Sequence, residues 1–227
     1  MRKPQKILTG ALWALTVLAM MSVIGAGLWK RQRDTETAGF EINAQPASGI
    51  IRTAVLATVP SFSLLDQDNK PLTHDTLHGH PYIADFIFTR CAGPCPIMTS
   101  KMAALTKSIP DPRVRFLSVT VDPEYDKPNI LKQYARDRGA DDSRWLFATG
   151  DKDAVFALAR GMLIAALPAQ GDQPIIHSEK FILVDSAGQI RAYYNSKDGD
   201  AMVHLIADAQ ELAAQSPATS KPANPAP

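Results

Sequence analysis

The chain has 227 residues, 45% hydrophobic and 21% charged, and its 24 Lys and Arg nearly balance 23 Asp and Glu to a net charge of +1. That composition excludes a disordered tail protein, which pairs low hydrophobicity with high net charge, and gives no footing to a nucleic-acid binder, whose domain is strongly basic. The length suits one domain with attachments, since a core of about 150 residues already buries most of its apolar surface.

The N-terminus is basic. Residues 1–30 hold Arg2, Lys3, Lys6 and Lys30 and no acid, which leaves 20 basic residues against all 23 acidic ones in residues 31–227. Residues 7–29 read ILTGALWALTVLAMMSVIGAGLW, with no charge and no proline. As a helix with 1.5 Å rise per residue this stretch spans roughly 34 Å, enough for a hydrocarbon core of about 30 Å. A cleavable signal peptide has a shorter apolar stretch, about 7–15 residues, followed by a small-residue cleavage site. Gly25-Ala26-Gly27 imitates that site poorly. Residues 1–30 therefore read as a transmembrane anchor, with a signal peptide as the alternative. Arg2, Lys3 and Lys6 on one flank match Lys30, Arg31 and Arg33 on the other, so only the N-terminal amine tips the positive-inside count toward a cytoplasmic N-terminus.

Residues 31–57 have few periodic apolar positions and read as a tether, residues 58–214 as the folded domain, and 215–227, QSPATSKPANPAP, as a disordered tail. Within the domain, SFSLLD (61–66) predicts a strand turned by Gln67-Asp68-Asn69-Lys70 into PLT. YIADFIFT (82–89) and VRFLSVTVD (114–122) predict buried strands, and WLFAT (145–149) a short one. Helices are expected from Pro96 to Ile109, from Pro128 to Arg138 with Asp126 as cap, after Asp151 as cap over DAVFALARGML, and from Asp200 to Ala214. KFILVDSAGQIRAYYN (180–195) splits at Ser186-Ala187-Gly188 into a hairpin. This order predicts an α/β sandwich around a mixed sheet.

Cys91 and Cys95 are the only cysteines. They are too few for a disulfide scaffold and cannot alone complete a four-ligand zinc site. In TRCAGPCPIM they fall where the first central strand turns into its helix, with Arg90 beside them. Unpartnered amides at a helix start favour a thiolate, and a thiolate serves both disulfide exchange and soft-metal binding. Three intervening residues make a longer loop than a C-x-x-C and leave room for an ion between the sulfurs. The bland alternative, two small buried hydrophobes, fits the glycine-proline loop poorly. A peroxidase site is disfavoured, because Thr89-Arg90-Cys91 lacks a T-x-x-C spacing.

FIFTRCAGPCPIMTSKM resembles the C-x-x-x-C-P signature of the SCO/SenC family of membrane-anchored, thioredoxin-fold copper proteins. VTVDPEYDKP is similar to that family's V-D-P-E-x-D segment through Asp122, Pro123, Glu124 and Asp126, and IIHSEKFILVDSAGQI to its H-x-x-x-x-x-L-x-D-x-x-G segment through His177, Leu183, Asp185 and Gly188. The resemblance covers residues 58–212 and the anchor. It implies a thioredoxin-like three-layer α/β sandwich behind an N-terminal transmembrane helix, with copper bound by Cys91, Cys95 and His177. It further implies a metallochaperone that passes copper to the copper-bearing subunit of cytochrome c oxidase or another acceptor, from a bacterial inner membrane with the domain in the periplasm. The alternative is a thiol-disulfide oxidoreductase in which Cys91 and Cys95 form the redox-active pair, the only enzymatic activity expected. The chain departs from the common pattern at Ile176, where an acid is usual before the histidine, at Ala92-Gly93-Pro94, and at Tyr125, where Arg is common.

On spacing alone His177 reads as a loop-end histidine. His78 and His80, near His74, read as turn and edge residues, Met98 and Met102 as core, His204 as structural, and Asp122, Asp126, Asp151 and Asp200 as turn and cap residues.

Overall fold

The computed structural model describes residues 54–140, 143–167 and 176–216, together with the single helical residue Met20. The chain divides into two units, Met1–Asn43 and Ala44–Pro227, and every described residue except Met20 belongs to the second. Among the described residues no helix is long and apolar enough to cross a membrane. The segment 7–29, expected to do so, lies outside them apart from Met20, as do residues 217–227 of the expected tail.

In chain order the elements are β1 (Ala57–Thr58), β2 (Ser63–Asp66), β3 (Pro71–Thr73), α1 (His74–Leu77), β4 (Tyr82–Ile87), α2 (Pro94–Ser108), β5 (Arg115–Thr120) and α3 (Pro128–Asp137). There follow β6 (Trp145–Thr149), α4 (Lys152–Gly161), β7 (Ala166–Leu167), β8 (Ile176–His177), β9 (Lys180–Val184), β10 (Gln189–Asn195) and α5 (Gly199–Gln215). Eight strands form one sheet in the order β1-β10-β9-β4-β5-β6-β2-β3, and β7 pairs with β8 in a second, two-stranded sheet. The centre, β4-β5-β6, is parallel because α2 and α3 cross over between consecutive strands, whereas β9 returns antiparallel beside β4.

Alternation along the central strands sorts the core into two faces. Ile83, Ile87, Phe116, Trp145, Phe147, Phe181, Leu183 and Tyr194 point to one face, where Met98, Met102 and Leu105 of α2, Leu131 and Tyr134 of α3, and Leu205 and Leu212 of α5 cover them. On the other face Tyr193 donates its hydroxyl to the Met162 carbonyl at the end of α4, 3.0 Å away. The result is the expected mixed α/β sandwich, helices on both faces of a sheet. Met98 and Met102 are core, 1% and 0% exposed.

Local chemistry explains most boundaries, including three that differ from expectation. Asp151 caps α4 as predicted, accepting from the amides of Asp153 and Ala154. The cap of α5 is Asp198 rather than Asp200, which sits in the first turn; both acids have the residue type of a cap, and the helix begins one residue earlier at Gly199. α2 begins at Pro94 rather than Pro96, so Cys95 lies inside its first turn. Pro at N1 loses no hydrogen bond, and that makes the earlier start the favourable one. The cap of α3 is Lys127, not Asp126, whose carboxylate is occupied elsewhere. In the β9–β10 turn, Asp185 accepts from the amides of Ala187 and Gln189, each at 2.9 Å, and Gly188 takes φ +76 where L side chains rarely go.

Helices α3 and α4 end in the same way with different residues. At α3 the Ala140 amide bonds the Ala135 carbonyl and the Gly139 amide the Arg136 carbonyl, with Gly139 at φ +65. At α4 the Ile164 amide bonds the Ala159 carbonyl and the Leu163 amide the Arg160 carbonyl, but the left-handed position is held by Leu163, at φ 54. This six-to-one, five-to-two closure favours glycine, and a Cβ there costs about 1–2 kcal/mol. Since Leu163 is 51% exposed, it recovers little of that by burial. Leu163→Gly is expected to stabilise the protein by about 1 kcal/mol, read as a higher urea midpoint at unchanged m-value, and Gly139→Leu to cost about as much.

Candidate functional site

β4 is buried over all six residues, and the chain leaves it through Phe88, Thr89 and Arg90 to reach Cys91. The Cys91 amide bonds back to the Phe88 carbonyl at 3.3 Å, closing the turn. Gly93 and Pro94 then lead into α2, with no side chain capping the helix. Prolines at positions 94 and 96 remove two of the four N–H groups a helix start normally presents. The cysteines are free and unequal: Cys91 is partly exposed, whereas Cys95 is 0% exposed. Their thiols hydrogen-bond to each other.

The expectation of thiolates stabilised by the helix start is corrected at Cys95. Burial pushes that thiol well above its ordinary range, Cys91 and Asp85 push it the same way, and a backbone hydrogen bond from Phe88 only partly opposes them. Desolvation of a charge outweighs a helix end that has lost two of its donors. The Cys95 carbonyl accepts from the Thr99 hydroxyl at 2.9 Å, and that hydroxyl lies 2.9 Å from the Tyr134 hydroxyl of α3. The first turn of α2 is thereby held against its neighbour.

Asp126 anchors the loop that carries Cys91. Its carboxylate accepts from the Thr89 amide at 3.0 Å, from the Thr120 hydroxyl at 2.5 Å and from the Thr89 hydroxyl. Burial raises its pKa, and the hydroxyl and amide donors pull the other way. Asp122, on the same segment, holds Arg90: Nη2 and Nε donate to its Oδ2 at 2.6 and 3.1 Å. The Arg90 guanidinium also lies 4.2 Å over the Tyr125 ring. Asp122 and Asp126 lie in the expected turn, where the Tyr125 and Asp126 amides donate to the Asp122 carbonyl at 3.1 and 2.8 Å, and their carboxylates in addition grip the cysteine loop from the segment after β5. Tyr125, and Ile97 in the first turn of α2, are exposed, 46% and 61% accessible.

Asp85 went unnoticed in the sequence, although an acid inside an apolar run such as YIADFIF is itself a signal. It lies opposite Ser118 in the β4–β5 register, is 0% exposed, and accepts the Ser118 hydroxyl at 2.6 Å. Ser118 in turn accepts Trp145 Nε1 at 3.0 Å. The second carboxyl oxygen, Oδ2, is buried without a partner. Burial pushes the Asp85 carboxyl up to about 7.

The histidines separate. His74 and His78 have ring centroids 5.9 Å apart on and just after α1, and the His80 ring bonds the Arg113 carbonyl at 3.1 Å. Among the described residues no three His, Cys, Asp or Glu side chains gather as a metal cluster. His204 of α5 has a buried Nδ1 without a partner. His177 ends β8, paired with Ala166 of β7, and its side chain lies outside the described residues. Backbone topology nevertheless fixes its end of the sheet. β9 begins at Lys180, three residues on, and runs antiparallel to β4, so the start of β9 lies at the end of β4 from which the cysteine loop departs.

A family model described as SCO1/SenC matches residues 52–213, more than half of the chain. The chain belongs to the SCO1/SenC family. It is 35% identical over 155 residues to the SCO1 protein homolog of Bacillus subtilis (strain 168), covering 66% of this chain and 80% of that one. Its fold matches BsSco, described as a member of the Sco family of cytochrome c oxidase assembly proteins in which a disulfide switch is identified, with TM-score 0.64, 31% identity, and 71% and 96% of the two chains covered. Bradyrhizobium japonicum ScoI, solved with copper bound, shares the fold at TM-score 0.59 and 23% identity, over 69% of this chain and 99% of that one.

The buried acid of β4 carries a pH dependence whose sign follows from burial. An acid whose folded pKa is raised from 3.8 to about 7 favours the folded state while protonated. That contribution is complete below the lower value and lost as pH rises through the upper one. Asn reproduces the neutral acid at similar volume, so Asp85→Asn and the parent are expected to converge near pH 4. The variant should then gain up to about 1.4 kcal/mol per pH unit until roughly pH 7, and the difference should stay level above it. Urea unfolding at stepped pH measures it, and a gap that does not widen with pH would contradict the assignment.

Proposed function

We propose that this chain is a copper metallochaperone for cytochrome c oxidase assembly, holding one copper ion through Cys91, Cys95 and His177. The observation that carries the reading is the pair of free sulfurs within hydrogen-bonding reach of each other at the end of β4, one of them open to solvent. Two thiolates with an imidazole form a soft donor set suited to Cu(I), and a site with few ligands leaves an exit toward a partner's sulfur. Topology supports the third ligand by bringing the backbone at position 177 to the same sheet end as the cysteine loop. The family membership and the copper bound to a protein of the same fold support the choice of metal. The acceptor is the copper-bearing subunit of cytochrome c oxidase or another copper acceptor. The domain works on the periplasmic side of a bacterial inner membrane, anchored by the apolar residues 7–29.

One observation favours a second reading, thiol-disulfide exchange. Cys91 is accessible and Cys95 sealed, which is the arrangement of an attacking sulfur and a resolving one. The two readings share the cysteines and differ at His177. His177→Ala is expected to weaken copper binding by more than the ~10–100-fold that even an outer-shell partner costs, while the Cys91–Cys95 disulfide forms as in the parent. Competition with a Cu(I) chelator and thiol titration read the two effects separately. Undiminished affinity would overturn the three-ligand site, and a loss of reductase activity equal to the loss of affinity would favour the redox role.

Metal loading should also follow the state of the sulfurs, because a disulfide offers no thiolate. Oxidised protein is expected to take up no Cu(I) until reductant is added. Stoichiometric uptake without reductant would contradict ligation by both cysteines.

A further inference from the structure

Arg90 directly precedes Cys91, and its side chain is 55% exposed while that of Asp122, its partner, is 10% exposed. The ion pair is thus oriented, with its negative end inside and its positive end toward solvent. Two N–H groups converge on a single oxygen of Asp122, and the face of the guanidinium rests on Tyr125. Of the five N–H groups a guanidinium carries, those on Nη1 are taken by no described residue. Such an exposed pair adds little to stability, because solvent screens its attraction and holding a long cation on an edge and a face costs rotamer freedom. Stability alone is therefore a poor reason for fixing Arg90 here. Preorganisation for an incoming anion is a better one, because the ordering is complete before the partner arrives. The nearby exposed acid, Glu124, is paired with Lys152 at 3.2 Å and competes little for that edge.

We propose that Arg90 is the residue by which this site selects its partner, its open guanidinium edge receiving a carboxylate that flanks the partner protein's reactive sulfur. The inference rests on the reading of Cys91 as the sulfur that meets the partner, in copper transfer or in disulfide exchange. It adds the chemical class of the surface presented to it, an acidic one. A carboxylate bound at Arg90 sets its own cysteine beside Cys91, so that selection occurs at the moment of sulfur exchange.

Small disulfides of different charge probe this without knowledge of the partner. The full-length protein in detergent, reduced and freed of reductant, is mixed with 3,3′-dithiodipropionate, bis(2-hydroxyethyl) disulfide or cystamine. Cys91 thiolate attacks one sulfur of the probe, whose S–S bond breaks and whose first thiolate leaves and takes up the proton from Cys91. Cys95 then displaces the second thiol, so that two protein thiols become one disulfide and one probe disulfide becomes two thiols. Rates are divided by those of N-acetylcysteine with the same probe. The parent is expected to favour the dicarboxylate over cystamine by about tenfold at low salt, with the preference shrinking at about 0.5 M salt. Arg90→Gln should abolish the preference and Arg90→Glu invert it, which a purely structural role would not do. Lys107→Gln, in the last turn of α2, should leave it in place. A parent that reacts with the neutral probe and shows no charge preference, or an Arg90→Gln variant that keeps one, overturns the assignment to Arg90 alone. A parent that neither reacts with the neutral probe nor takes up copper overturns the reading of the cysteine pair, and this proposal with it.

Discussion

Everything near the cysteines depends on β4 being locked between two strands of opposite direction. Parallel β5 on one side sends Asp122 and Asp126 out at the same end of the sheet as the cysteine loop. Antiparallel β9 on the other side begins where β4 finishes, and carries the backbone of residue 177 toward that end. Three segments far apart in sequence are therefore brought to one end of the sheet for one reason, the register of a fully buried strand. A one-residue slip would turn every side chain of β4 to the opposite face, and with one face holding Ile83, Asp85 and Ile87 against α2 and α3 the slip is heavily penalised.

Buried polarity under and beside this strand is uneven, and the unevenness has physical sense. Asp126 is matched by three donors and ties down the loop before Cys91. Asp85 is matched at only one oxygen. A half-satisfied carboxyl in the core is costly as an anion and tolerable as a neutral acid, which is why burial drives its pKa upward. The chain thus holds two buried acids near one site in opposite conditions, one fixing geometry and one storing an unmet demand for a proton.

The longer strands, the helices α2 to α5 and their order were legible because apolar runs, turn residues and helical spacing all agreed along β4, β5, β6, β9 and β10, whereas the short β1, α1, β7 and β8 carry no such pattern, and His74 and His177, expected in a turn and at a loop end, lie in α1 and β8. Legibility failed where one residue pattern serves two purposes. DPEYDKP reads as turn and cap whether or not its acids reach across the sheet, and only the fold shows that Asp126 meets Thr89 and Asp122 meets Arg90. Neither contact has any local signature, since each spans more than 30 residues. The thiol at Cys95 failed differently: a helix start argues for a low pKa and burial for a high one, and the sequence shows the helix but not the burial. The Gly139 and Leu163 ends of α3 and α4 show the reverse limit, one geometry written with two residues.

The two sulfurs are unequal, and that inequality constrains either proposed use of the pair, metal transfer or thiol exchange. A sealed Cys95, held through Thr99 and Tyr134, stays in place whatever Cys91 does, whereas Cys91 sits on a loop fixed at Thr89 and Arg90 but open at Ala92 and Gly93. Any partner must therefore approach Cys91 first, past the Arg90–Tyr125 stack, and meets Cys95 only through the sulfur already engaged. Order of contact is imposed by burial rather than by reactivity, because the sulfur that a partner cannot reach cannot begin an exchange, however readily it ionises. In the proposed copper site a third ligand would decide which chemistry prevails. A pair of sulfurs left alone closes on itself, whereas an imidazole at position 177, the residue that ends β8, would give a soft ion a reason to stand between them.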